Sequence, residues 1–288
     1  MQGRVGHRIR AIAAATTVIA ACTAGVVIAR AARTPAQTPA YQAPRFFDGR
    51  PNVNGIWQAL GNAHWDVEAH HAQPGPPQFG AMFAVPAGLG VVEGGAIPYQ
   101  SWAAAKRKEN YDKRWTLDPE AKCYMPGVPR ATYMPFPFQI IQSTNKIMMV
   151  YEFANAQRTI HMDQVKPSPV DTWMGHSIGR WDGDTLVVDV KQLNDQTWFD
   201  RAGNFHSDQV HVVERYTLGS PERLDYEATI EDPKVFTRRW TIRLALYRRQ
   251  EKDMEVLEFK CVDFSEELIY GHLRAKPARS TLKKGGIK

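Results

Sequence analysis

From Phe138 onward the chain alternates short apolar runs with turn residues, the pattern of antiparallel strands. Residues 139–142 and 146–153 flank Ser143-Thr144-Asn145, and 158–162 follows. Residues 174–181 and 185–190 flank Asp182-Gly183-Asp184, where Asp-Gly suits the positive φ angles of a tight hairpin. Residues 210–218 and 223–231 flank Gly219-Ser220-Pro221-Glu222, and 235–248 and 255–262 complete a predicted set of roughly nine strands. Few of the gaps leave room for a parallel crossover. The pattern therefore predicts a mainly β fold, an antiparallel meander closing into a lipocalin-like barrel or cup, with a β-sandwich as the alternative. Sequential hairpins favour the barrel because they close without crossing connections.

Ahead of the β core (138–270) the pattern is different. Residues 1–31 read as an export signal or membrane anchor, 32–55 as a Pro/Ala-rich linker, 56–137 as a helical and loop-rich N-terminal part, and 271–288 as a basic tail. The stretch 72–98 concentrates Gly and Pro and predicts loops, with short helices at 67–72 and 100–114.

Composition narrows the class. The 288 residues are 43% hydrophobic and 23% charged, enough for a substantial core and incompatible with a disordered chain. Net charge is +6, but the bases concentrate in the acid-free ends, which leaves residues 48–270 acidic and argues against a nucleic-acid face. Residues 11–29 form an uncharged Ala- and Val-rich run after Arg8 and Arg10, and Ala29-Arg30-Ala31 offers a cleavage site. An uncleaved anchor and a lipobox at Cys22 are the alternatives, and all three routes put the folded part outside the cytoplasm, periplasmic or secreted. Contact with a membrane would then come only through the N-terminal segment, where it is not cleaved. Beyond the leader only Cys123 and Cys261 remain, which in an oxidising compartment either form one disulfide, worth about 2 to 5 kcal/mol, or stay as buried thiols.

Candidate chemistry gathers in one region: Arg158, His161 and Asp163, then Trp173 and His176, then Asn194, Asp195, Trp198, Asp200, Asn204, His206 and Asp208. The loop 193–208 is longer than a hairpin needs, as functional loops often are. His206, with Asp195, Asp200 or Asp208 as partner, is the leading acid–base candidate; the alternative is a histidine that caps its own loop. His176 shares strand parity with Met174 and Ile178, so it faces an apolar lumen or packs as a core histidine, whereas His161 leaves the apolar face. Arg158 is spaced to pair with Asp163 across a turn. A metal held by His161, His176 and His206 is conceivable, without any HxH, HExxH or CxxC spacing to support it. No dinucleotide fingerprint, P-loop or haem-attachment motif occurs, so no cofactor is expected.

Five blocks carry a resemblance: KCYMPGVPRATYMPFPFQI from Lys122, DTWMGHSIGRWDGDTLVVDV from Asp171, TWFDRAGNFHSDQVHVVERY from Thr197, YEATIEDPKVFTRRW from Tyr226 and LEFKCVDFSEEL from Leu257. Together they resemble a widespread family of exported bacterial proteins, over nearly everything after Asp48. The resemblance implies an exported domain and no particular activity. Residue chemistry gives the first functional expectation: a cofactor-independent lyase, isomerase or hydratase acting on a small hydrophobic, aromatic or terpenoid-like molecule in the barrel. In it His206 is acid or base, Asp200 or Asp195 orients it, Asn194 and Arg158 hold a polar group, Trp173 and Trp198 enclose the rings, and His176 and His161 complete the binding set. The alternatives are a non-catalytic extracytoplasmic binding protein for a hydrophobic ligand and a metal-dependent hydrolase.

Overall fold

The computed structural model describes residues 41–75 and 84–274; the leader, the first part of the linker, residues 76–83 of the loop stretch and most of the basic tail lie outside the described residues. The fold is a closed barrel of nine strands in sequence order: β1 (Gly55–Ala59), β2 (Phe138–Gln142), β3 (Lys146–Tyr151), β4 (Gln157–His161), β5 (His176–Asp182), β6 (Thr185–Lys191), β7 (His211–Ser220), β8 (Arg223–Glu231) and β9 (Trp240–Arg248). The predicted barrel is thus the observed architecture, and the Asp-Gly turn does join β5 to β6, with Gly183 at φ 59°.

Two departures from the predicted meander follow from closure. A ring of strands that alternate in direction all the way round needs an even number. With nine strands, one neighbouring pair must run parallel, and it is β4 with β5, joined by the long connection 162–175 that such a pair requires. The second departure is at the ends. The ring is sealed by β1 pairing with β9, Trp57 opposite Arg248 and Ala59 opposite Leu246. No sheet edge remains for residues 255–262, which form no strand and instead run as a strap over the outside with Leu257 and Val262 exposed.

Inward positions follow the two-residue period of each strand. Trp57, Phe138, Ile140, Ile147, Met149, Ile160, Leu186, Val188, Val190, Val212, Leu224, Ile230 and Ile242 are all buried to 1% exposure or less. These large side chains fill the interior as a packed core.

Outside the barrel, the predicted helix at 100–114 forms as Ser101–Asp112, whereas 67–72 does not become helical. Val67 there is fully buried and its N–H is held by the Asp200 carboxylate, a tertiary bond in place of a helical one. The described end of the linker is ordered: Ala43 and Val53 are buried, and Gln142 accepts from the Val53 N–H and donates to the Pro51 carbonyl. At the other end the helix Ser265–Arg274 follows the strap. Cys123 and Cys261 form a disulfide, their Cα atoms 5.8 Å apart across 138 residues of chain, and so fasten the strap to the segment that precedes β2. Such a bridge suggests an oxidising, extracytoplasmic setting. Among the described residues no helix is long and apolar enough to cross a membrane.

Candidate functional site

The loop after β6 is built around a carboxylate. Asp200, fully buried, accepts from the backbone N–H groups of Val67, Ala202 and Asn204 and from Asn204 Nδ2 at 2.6 Å. Burial, with the neighbouring Asp66 carboxylate, pushes its pKa up to about 7 against those hydrogen bonds. Gly203, at φ 83°, lies so close to the helix Ser101–Asp112 that a Cβ would come within 2.7 Å of Asn110 Cβ. The loop is therefore pinned to the body of the protein from both sides.

His206 sits in this loop, 2% exposed. Its Nε2 is 2.7 Å from Thr197 Oγ1 and its Nδ1 is 2.8 Å from the Ser207 carbonyl oxygen. The arrangement fits one neutral tautomer, with Nδ1–H donating to Ser207 and Nε2 accepting from Thr197. Burial holds the imidazole below its ordinary pKa, against the Ser207 carbonyl. The expected carboxylate partner is absent: Asp200 is occupied by the loop backbone, Asp208 pairs with Lys234 at 2.7 Å, and Asp195 is exposed, adding only a weak field. Both ring nitrogens hold the loop together, which is the capping arrangement.

Arg158 points into the barrel, where its partner is Glu214 of β7 at 2.7 Å, not Asp163. Its Nη2 donates to Tyr216 Oη, which in turn donates to Glu214 Oε1, as does Tyr226 Oη at 2.7 Å. Burial opposes the charge on Arg158, and Glu214 more than offsets it, so the guanidinium stays ionised. The expectation that Arg158 holds a ligand's polar group therefore meets a side chain already consumed by a buried core cluster.

The remaining predicted residues are scattered. His176 lies on the outer face of β5, because Ser177 and Gly179 take the inward positions; a Cβ at Gly179 would meet Ile160 and Met162 at 2.6 Å. Its kinship with Ile178 reflects the outward parity, whereas Met174, before the left-handed Gly175, is buried in the core. His161 is also outward, its ring centre 5.6 Å from that of His176. Trp173 packs on Tyr124 at 4.8 Å, Trp198 is buried and bridges to Phe205, and Asn194 Oδ1 accepts from the Gln196 N–H in a local turn. Among the described residues no three His, Cys, Asp or Glu side chains are grouped to hold a metal, so the histidine triad with His206 does not form.

The cavity that gathers chemistry lies elsewhere, beside the barrel and under the strap. It measures about 210 Å³ and is walled by Trp65, Trp115, Phe136, Phe153, Phe259 and Phe264. Phe259, from the strap, packs 4.9 Å from Phe153 and 5.4 Å, edge-on, from Phe136. Arg201 lies 4.6 Å over Trp65, a cation–π contact, and also lines the cavity. Its Nε and Nη2 clamp Glu120 in a fork at 2.9 and 2.6 Å. Behind them Arg130, 1% exposed, bonds both Glu120 and Asp118. Burial works against ionisation of Glu120, but Arg201 and Arg130 outweigh it and hold the carboxyl down to about 2. Burial lowers the nearby His64 to about 4.

Sequence reasoning missed this cavity. Its walls come from segments between Trp65 and Glu267 that are remote in sequence, and the one readable pointer was the cysteine pair, which brings 259–261 next to 121–123. No protein-family model matches the chain, and no curated protein or solved structure matches it either.

Proposed function

We propose that the protein is an exported binding protein, periplasmic or secreted, for a small, flat, largely apolar molecule bearing one polar group, held in the cavity beneath the strap. The observation that carries the reading is the lining: six aromatic side chains converging on a preformed guanidinium–carboxylate pair. The volume of about 210 Å³ is below the roughly 300 to 1,000 Å³ of drug-sized sites, which points to a ligand of one or two rings. Arg201 and Glu266 offer polar atoms at the wall, while the charges behind them are already paired. Acid–base catalysis at His206 draws no comparable support, because both ring nitrogens are engaged and the ring is enclosed.

Trp65 and Trp115 make the cavity self-reporting. Titration of the purified protein with a panel of one- and two-ring phenols, indoles and aromatic acids is expected to give saturable quenching of tryptophan fluorescence. Phe153→Trp, which fills the cavity, should abolish it, and the ligand should be recovered unchanged. If no member of the panel binds at millimolar concentration, or if Phe153→Trp binds as the parent does, the proposal fails; turnover of a bound compound would restore the enzymatic reading.

A further inference from the structure

The parallel pairing of β4 and β5 has a side effect on the outer face. Ile160 lies opposite Ser177 and His161 opposite Ile178, so His176, two residues before Ile178 on the same outer face, is the diagonal neighbour of His161 across the two strands. Their ring centres are 5.6 Å apart with planes inclined by 24°. His161 Nδ1 and His176 Nε2 are both shielded from solvent, and neither has a hydrogen-bond partner. Buried polar nitrogens are ordinarily satisfied. Two unsatisfied imidazole nitrogens on adjacent rings are a pattern that a shared third party resolves.

We propose that His161 and His176 form a surface site for one divalent transition-metal ion, copper(II), nickel(II) or zinc(II), whose remaining positions are filled by water or a small exogenous ligand. With metal–nitrogen bonds of about 2.0 to 2.1 Å, two imidazoles on one ion have ring centres roughly 5 to 6 Å apart, which the observed separation matches. Imidazole suits these three ions, and the affinity order follows copper above nickel and zinc. Metal ligation requires neutral imidazoles, so binding should weaken as pH falls. No third protein ligand joins them among the described residues. The ion is thus held by two side chains and keeps open positions, as exchangeable and reactive sites do. This inference is independent of the cavity under the strap.

The test is calorimetric titration of the untagged, EDTA-treated full-length protein with copper(II), nickel(II) and zinc(II) chlorides. One equivalent of copper is expected to bind most tightly, with electron paramagnetic resonance showing two coordinated nitrogens. His161→Gln and His176→Gln should each weaken binding by roughly 10- to 100-fold or more, and the double variant should do no worse than the weaker single. His211→Asn, which removes the half-buried partner of Asp189, should leave binding unchanged. Circular dichroism checks folding, and if one variant fails to fold the other still decides. Absence of stoichiometric binding overturns the proposal, as does binding that persists in either folded variant.

Discussion

Removing the carboxylate of Glu214 tests whether the barrel interior is a core or a vacated ligand site. The side chain is fully buried, pairs with Arg158 at 2.7 Å and accepts from Tyr216 and Tyr226. Glu214→Leu strands a guanidinium whose own side chain is 2% exposed, and breaking a buried pair in this way costs about 3 to 5 kcal/mol. For a domain of this size about 1 kcal/mol moves Tm by roughly 2 to 4 °C, so a fall of about 6 to 20 °C is expected. Arg158→Met alone should be similarly harmful, because it leaves the carboxylate unpaired. The double variant Arg158→Met/Glu214→Leu removes both charges and replaces them with apolar bulk. It should regain more than half of the loss, although Tyr216 and Tyr226 then lack their acceptor, at about 1 to 3 kcal/mol each. Thermal and urea unfolding of the parent, both single variants and the double variant close the cycle. A double variant destabilised by the full sum of the singles would refute the coupling. A single Glu214→Leu within about 1 kcal/mol of the parent would refute the claim that the interior is sealed, since only water could then be solvating Arg158.

Three further outcomes follow from the same structure. Cys261→Ser should lower stability by about 2 to 5 kcal/mol in urea titrations and also abolish ligand-induced fluorescence quenching, because Phe259 of the strap and Phe264 just after it line the cavity; unchanged quenching would separate strap from site. Gly203→Ala should cost about 2 kcal/mol or more, since a left-handed conformation and a close approach to Asn110 coincide, and a neutral Tm would contradict the packing. His64, lowered to about 4 by burial, contributes stability that is present above its unfolded pKa of about 6.5 and is lost as pH falls to 4. Asp200, raised to about 7, acts oppositely: its folded form keeps a proton that the unfolded chain has lost, so its contribution is fully present below about pH 4 and fades as pH rises through 7. The two slopes oppose each other over pH 4 to 6.5. In His64→Gln the compensation is lost, so the stability of the parent relative to the variant should rise by up to about 1.4 kcal/mol per pH unit over that interval and be flat above it.

Local signals carried most of the barrel. The Asp182-Gly183-Asp184 hairpin and the alternation of β7 and β8 need only neighbouring residues to be read, and these pairings formed as expected. What escaped depended on distance. Gly55–Ala59 is a short run whose partners, β2 and β9, lie far along the chain, so nothing local marks it as the sealing strand. Glu214 occupies an inward position between Val212 and Tyr216, and its meaning is hidden until β4 and β7 are placed around one interior. His176 was misread because small residues, Ser177 and Gly179, face inward where Ile160 and Met162 already fill the space, and hydrophobicity alone picks the wrong face. At the loop, Asn, Asp and His were recognised as chemically capable, yet their hydrogen bonds are spent on its own backbone.

The sealing pair also sets an order of assembly. β1 begins at Gly55 and its partner β9 ends at Arg248, so the contact that turns a curved sheet into a ring joins nearly opposite ends of the folded chain. Contacts so remote in sequence are slow to form, and a chain threaded through a membrane from its N-terminus would present β1 long before β9. During that interval the sheet is an open ribbon with two bare edges, and β1 needs a temporary cover or a swift finish. The strap, which follows β9, can lie down only on a completed ring. Its cysteine then meets its mate at the last stage, and the recess beneath it comes into being only once the ring is closed.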